Sequence, residues 1–278
     1  MTMEIDKRRA VGGNRTLDLC LTKASLYPLA TTACVIRVKR IYIKKIMDDC
    51  PPDVLSDQPE RGTYITSDPY SSIMAEDLTQ CACPHGDEGA GVIDGMNEEH
   101  VPQITWGMMN IPDIDPRRIL DIGCGGGIFT RLILEKYPKA CAWGIDISEV
   151  SIDYSKRFNS SFIGKGRLEL CLGNVAEMPY GDGFFDLIVS NASHFFWPDL
   201  PENLKEVSRV LRKGGIACLT SGIHFTEPSQ WAEYKAQYPS INAVTDDELR
   251  GYMISAGLRT EYHVQPEDGY CCYIGVKG

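Results

Sequence analysis

The sequence predicts an α/β fold: a mostly parallel, doubly wound sheet with helices on both faces and an antiparallel hairpin at its C-terminal end. Three observations predict it. Short apolar runs alternate with apolar-periodic stretches from residue 118 onward. A glycine-rich turn joins the first run to the first periodic stretch in "ILDIGCGGGIFTRLI", Ile119 to Ile133. The closing stretch "RTEYHVQPEDGYCCYIGVKG" carries two strand-like runs around a turn from Pro266 to Gly269. Alternating strands and helices require crossover connections, which leave neighbouring strands parallel. A short turn brings the chain back antiparallel.

The elements follow in order. Asn97 is placed to cap a helix whose Val101, Ile104 and Met108 share one face, with Glu98 and Glu99 where the helix dipole favours acids. Pro112 ends it. Strands are expected over 118–122, 141–146, 167–172, 185–190 and 215–221, and helices over 128–137, 149–159 and 201–212. A further stripe, Leu249, Tyr252, Met253 and Ala256, runs up to Gly257 as a C-terminal stop.

Charge divides the 278 residues into three regions. Residues 1–46 hold 10 basic and 3 acidic side chains, residues 47–100 hold 1 and 13, and residues 101–278 hold 17 and 22. The first region has no steady period and is too interrupted for a membrane span. It reads as a basic extension outside the fold, with Met47 as a candidate translation start. Residues 47–96 read as an acidic flexible lead-in, poor in the apolar surface that offsets ordering entropy. Within it, Cys81, Cys83 and His85 have a spacing unlike a zinc knuckle, so no metal site is expected. The folded domain is expected over 97–278. An acidic balance of −10 repels phosphate backbones, which argues against a nucleic-acid substrate, and eleven scattered cysteines fit a reducing cytoplasm.

The glycine turn limits its own ligand. A dinucleotide turn needs a third small residue where this sequence has Ile128. A triphosphate loop needs a lysine after the glycines, and the first basic residue is Arg131. What remains is Asp121 followed by alternate glycines, Gly123, Gly125 and Gly127, which leave the backbone bare beside a strand end. Asp146 stands at the end of the second strand, where its carboxylate can accept from two ribose hydroxyls; that geometry serves NAD equally well.

At these residues the chain resembles the class I S-adenosylmethionine-dependent methyltransferases. "LDIGCGGG" is similar to their first motif, "WGIDIS" at 143–148 to the second, "LGNVAEMPYGDGFFDLIVSN" at 172–191 to the third and fourth, and "VLRKGG" at 210–215 to the turn before strand five. The resemblance implies a Rossmann-like domain that binds S-adenosylmethionine. Asp146 would hold the ribose, Ile147 would cover adenine, and Asn174 with Val175 would meet the adenine edge. Asp121 would orient the methionyl amino group through the glycine loop, and the end of strand four, Ser190 to Ala192 with Asn191 at its centre, would line the methionyl end.

The acceptor is less legible, because a sulfonium donor asks mainly for in-line positioning and desolvation. The Asn/Asp-Pro-Pro-aromatic motif of nucleobase N-methylating relatives is replaced by "SNASHFFWPD", consistent with a small-molecule acceptor. His194 is the expected general base, against a packed, hydrogen-bonded histidine. His100 and Trp106 are candidates for a lid over the cofactor. Trp231, Tyr234 and Tyr238 are spaced as an aromatic helix face. Cys271 and Cys272 are adjacent in a strand and so face opposite ways, against a joint thiol site. The expected function is methyl transfer to a small molecule with release of S-adenosylhomocysteine. The rivals are a non-catalytic nucleoside sensor of the same fold and a protein methyltransferase.

Overall fold

The computed structural model describes residues 78–222, 228–237, 241–242, 244–266 and 268–278. The basic extension, Met47, Trp231's side chain and Tyr238 lie outside these residues. Helix α1 (Leu78–Ala82) and helix α2 (Gly89–Asn110) precede strand β1 (Arg118–Ile122). There follow α3 (Ile128–Lys136), β2 (Cys141–Asp146), α4 (Glu149–Phe158), α5 (Ser160–Gly164), β3 (Leu168–Leu172) and β4 (Phe185–Asn191). After a single 3₁₀ turn at His194–Phe196 come α6 (Leu200–Val210), β5 (Leu211–Ser221), α7 (Pro228–Gln237), α8 (Asp246–Ser255), β6 (Leu258–Val264) and β7 (Cys271–Lys277).

The seven strands form one sheet in the order β3-β2-β1-β4-β5-β7-β6. Strands β1 to β5 pair in parallel, and β7 runs antiparallel to both β5 and β6, as expected for a doubly wound sheet closed by a hairpin. The order reverses between β1 and β4. A crevice opens at such a switch point, beyond the carboxyl ends of the strands. The central strands are buried on both faces and therefore read as continuous apolar runs. Leu120, Ile122, Ile188, Leu204, Val207, Leu219 and Met253 belong to one core cluster. At the opposite end of the sheet, Asp186 Oδ2 accepts from the Arg117 and Arg118 amides at 2.8 Å each, while its Oδ1 accepts from Arg212 Nε at 2.6 Å. One carboxylate thus fixes the starts of β1 and β4.

Local chemistry explains most boundaries. Ser148 caps α4 by accepting from the Ser151 amide, Asp199 caps α6 through Glu202, and Thr245 with Glu248 forms a reciprocal capping box at α8. Two boundaries differ from expectation. Strand β5 starts at Leu211 rather than 215, because Leu211 already pairs with Phe185 and the "RKGG" segment bulges out before pairing resumes at Ile216 opposite Leu187. Helix α2 begins at Gly89, eight residues before the expected cap, so it crosses the expected start of the domain at residue 97.

Asn97 is accordingly not a cap. It lies inside α2 on a buried stripe with Ile93, Val101 and Ile104, and its Nδ2 reaches the Gly126 carbonyl at 3.4 Å. Glu98 and Glu99 stand mid-helix on the exposed side. Ile93 extends the apolar stripe one turn before Asn97, which is why the helix continues there. Gly107 lets the far end of α2 approach β5, since a Cβ at this position would lie 2.1 Å from Thr220 Cγ2.

Candidate functional site

A cleft at the switch point is lined by the glycine turn, the ends of β2, β3 and β4, the segment before α2 and the inner face of α2. It gathers Asp121, Gly123, Gly125, Asp146, Ile147, Asn174, Val175 and Asn191 from four separate loops. These are eight of the nine residues expected to hold a nucleoside donor. Gly127, the ninth, does not line it.

The turn's glycines serve different purposes. Gly123, Gly125 and Gly127 all take left-handed φ, at 67°, 50° and 82°. Only Gly125 faces open space: a Cβ there would have no atom within 4 Å. At Gly127 it would lie 2.2 Å from Ser155 Oγ and 2.3 Å from Asn159 Nδ2, and at Gly123 2.1 Å from Ser193 Oγ. At Gly126 it would meet Ile93 Cγ2 at 2.4 Å. The reading of all these glycines as bare backbone therefore holds for Gly125 alone, and the others permit close packing of protein on protein. Cys124 also gains an account. Its side chain is buried and occupies the space left by Gly144 of β2, whose Cβ would lie 3.0 Å from Cys124 Sγ.

Asp146 holds the turn from the neighbouring strand. Its Oδ2 accepts from the Gly125 amide at 2.8 Å and its Oδ1 from the Ser148 amide at 2.9 Å. Burial raises its pKa, and these backbone donors oppose the rise. Each oxygen keeps acceptor capacity for a hydroxyl. Beside it, Ile147 lines the cleft and is 50% exposed, unusual for an apolar side chain next to a core and suited to covering a planar ring. Asn174 Oδ1 accepts from the Ala176 amide at 2.9 Å, an Asx-type turn that engages part of the acceptor capacity expected for adenine. Val175 is buried against the core and presents its edge to the cleft.

Asp121 is 1% exposed and accepts from Thr130 Oγ1 at 2.6 Å. Burial pushes its carboxyl up to about 7, with Thr130 pulling the other way and the Asp146 charge adding to the rise. At the other wall, Asn191 Oδ1 accepts from Gln103 Nε2 at 2.6 Å and from Thr220 Oγ1 at 2.7 Å. Ala192 follows with φ 50°, a left-handed conformation rare for a residue with a Cβ, and its amide is held by the Thr220 carbonyl at 2.8 Å. Such a conformation persists where surrounding structure fixes it, as at ligand-lining turns.

His194 does not face the cleft. It is 2% exposed, packed against Phe195, Trp197 and Tyr273, and its Nδ1 is buried with no hydrogen-bond partner among the described residues. Burial lowers its pKa to about 4. The 3₁₀ turn rotates it away from the mouth of β4 while Ser193 and Phe196 line the cleft instead. It is thus an aromatic-packed histidine rather than the expected base.

His100, on α2, lines the cleft and is half-buried; burial lowers its pKa to about 4. Trp106 lies further along the same helix with its ring 6.4 Å from that of Tyr270, outside the cleft lining. Gln103 does not line the cleft but holds Asn191, which does, and its only signal in the sequence was its place on the same helical face as His100 and Ile104. Cys81 lines the cleft from α1, and the imidazole Nδ1 of His85 lies 2.9 Å from the Cys83 carbonyl. Among the described residues, no three His, Cys, Asp or Glu side chains are grouped as a metal site. Cys272 Sγ lies 3.6 Å from Cys218 Sγ, while Cys271 joins the core cluster with Leu249 and Met253, so the adjacent cysteines do not converge. No helix among the described residues is long and apolar enough to cross a membrane.

A glycine turn after β1, an acidic residue ending β2 and a seven-stranded sheet with β7 inserted antiparallel define the class I methyltransferase fold. Residues 119–215 match the family described as Methyltransferase domain, and this match together with the relatives and the fold supports a class I S-adenosylmethionine-dependent methyltransferase. It is 24% identical over 165 residues to an uncharacterized chloroplastic methyltransferase of Arabidopsis thaliana, covering 57% of this chain and 47% of that protein. It is 27% identical to a fatty-acid O-methyltransferase of Mycolicibacterium smegmatis, covering 50% of this chain and 51% of the relative. It is 31% identical to a malonyl-[acyl-carrier protein] O-methyltransferase of Legionella pneumophila, covering 48% and 46%. The chain thus spans about half the length of these curated relatives. Among solved structures, geranyl diphosphate C-methyltransferase from Streptomyces coelicolor superimposes with a TM-score of 0.58 at 16% identity, over 73% of this chain and 85% of that one. At that identity the likeness is one of fold.

Proposed function

We propose that this protein transfers a methyl group from S-adenosylmethionine to a small-molecule acceptor and releases S-adenosylhomocysteine. The observation that carries the reading is the cleft at the switch point, where the open face of Gly125 lies beside the Asp146 carboxylate and the exposed Ile147. These residues fit the donor: a bare backbone surface, a ribose acceptor and an apolar cover for a ring. The relatives named as O-methyltransferases act on a fatty acid or a carrier-bound malonyl group, which supports an oxygen acceptor here.

The donor supplies an activated methyl on a sulfonium, so the protein's task is placement and exclusion of water. Asp146 orients the ribose, while Ile147, Asn174 and Val175 enclose the adenine. Asp121 and the glycine turn set the amino-acid end. Asn191 and Ala192 form the wall nearest the reacting carbon, and α2 closes the cleft from above. No step of this arrangement needs His194.

Incubation with methyl-labelled donor and a metabolite extract tests the proposal. Label is expected in an extractable small molecule with equimolar S-adenosylhomocysteine. Label in polypeptide would favour protein methylation, and tight donor binding without turnover would favour a sensor. Asp146→Ala and Gly125→Val are each expected to weaken donor binding at least tenfold; unchanged affinity in both would sink the donor site.

A further inference from the structure

We propose, on the basis of the donor-site reading above, that His100 is the acceptor-side residue of this cleft: it faces the group that receives the methyl and takes its proton, so the acceptor is a hydroxyl rather than a carboxylate. The argument begins with how α2 is held. Asn97 bonds the Gly126 carbonyl at 3.4 Å, and Gln103 bonds Asn191 Oδ1 at 2.6 Å. The first anchor lies on the glycine turn and the second at the end of β4, the two walls between which the donor's reactive end must lie. His100 is three residues from each anchor and lines the cleft between them. The helix therefore carries an imidazole across the gap where methyl leaves donor for acceptor.

The polar groups around that gap specify the acceptor. No hydrogen bond joins His100 to a partner among the described residues, so its ring nitrogens remain for a ligand. Burial keeps the ring neutral at neutral pH, leaving one nitrogen as an acceptor. On the same cleft, the Asn191 carbonyl oxygen is already taken by Gln103 and Thr220, which leaves its amide N–H donors for a ligand. A neutral imidazole that accepts and an amide that donates together match a hydroxyl, which gives one proton and accepts one bond. A carboxylate, the form a fatty acid takes at neutral pH, has no proton to give, so this cleft departs from the fatty-acid relative in the kind of oxygen it methylates.

The transfer balances on these groups. A lone pair of the hydroxyl oxygen forms the new C–O bond as the methyl C–S bond breaks, and that bond's electrons remain on sulfur as a neutral thioether. The hydroxyl proton passes to an imidazole nitrogen and then to solvent. The oxygen becomes strongly acidic only as the C–O bond forms, so a weakly basic imidazole suffices.

The test needs no knowledge of the acceptor. Sinefungin carries an amine where the donor carries its methyl, and S-adenosylhomocysteine carries nothing there. An imidazole on the acceptor side accepts from the bound ammonium through the water that stands where the acceptor oxygen would. His100→Phe is expected to lower sinefungin affinity relative to S-adenosylhomocysteine at least tenfold by calorimetry, with S-adenosylhomocysteine affinity within threefold of wild type. His100→Ala gives the same drop and serves if phenylalanine distorts the helix, while His100→Asn, which retains an acceptor oxygen, recovers part of it. An unchanged ratio in both His100→Phe and His100→Ala overturns the role of His100. Failure of the wild-type protein to bind S-adenosylhomocysteine overturns the donor site itself, and the His100 proposal with it.

Discussion

Gln103 and Asn191, 88 residues apart in sequence, share a 2.6 Å hydrogen bond that fastens helix α2 to the end of strand β4. The glutamine is buried, and the asparagine oxygen also accepts from Thr220. Removing Gln103 therefore leaves the asparagine oriented and releases only the helix. A buried hydrogen bond of this kind contributes about 1 kcal/mol. Gln103→Ala is expected to weaken S-adenosylhomocysteine binding about three- to tenfold and to speed amide hydrogen exchange across α2, leaving exchange in β4 unchanged. Equal acceleration in both elements would show that the bond serves global stability instead.

The glycine turn yields a prediction that separates binding from folding. Alanine at Gly125 enters open space and pays only for left-handed φ, about 1 kcal/mol, yet it occupies the surface on which the donor would rest. Alanine at Gly127 collides with Ser155 and Asn159 as well as adopting left-handed φ. Gly125→Ala should lower thermal stability slightly and donor affinity strongly. Gly127→Ala should unfold several degrees lower or fail to accumulate. Paired melting and binding curves check both, and similar stability losses would contradict the distinction.

Much of this was legible in the sequence because it is local. Strand runs, the periodic stretch after the glycine turn, the stripe ahead of Gly257 and the terminal hairpin each follow from neighbours within a few positions. That the residues expected to meet the donor would share one cleft was legible because they end consecutive strands, and strand ends meet at the switch point. His194 was misread because its sequence position beside β4 does not reveal a rotation of the following turn. Asn97 was misread because a capping residue and a buried helical asparagine look alike until Gly126, 29 residues away, is brought beside it. Gln103 was missed for the same reason: its partner belongs to another layer of the fold.

The buried His194 gives a signature in stability against pH. Its pKa falls from 6.5 in the unfolded chain to about 4 when folded, because burial disfavours the imidazolium. Between those values the unfolded chain binds more protons. The stabilisation is therefore present above pH 6.5 and is lost as pH falls toward 4, by at most about 3 kcal/mol. His194→Phe keeps an aromatic ring among Phe195, Trp197 and Tyr273 and removes the titration. Chemical denaturation at pH 7 and pH 4.5 should show a smaller acid loss in the variant, and identical losses would refute the assignment.

Donor binding should release protons through Asp121. Its carboxyl titrates near 7 because burial, aided by the charge of Asp146, disfavours ionisation, while Thr130 offers only partial compensation. The amino group of a bound donor or product is cationic and would restore the carboxylate, so binding below pH 7 must expel a proton. Affinity for S-adenosylhomocysteine should therefore rise with pH toward about 7, by at most tenfold per unit, and then level. Calorimetry at pH 6 in two buffers of different ionisation enthalpy should report up to one proton released per site. Asp146, also raised by burial, shifts in the same direction, so the variant matters. Asp121→Asn removes the titrating group but keeps a carbonyl for Thr130. It should bind more weakly and abolish most of the release, whereas undiminished release would place the proton on Asp146.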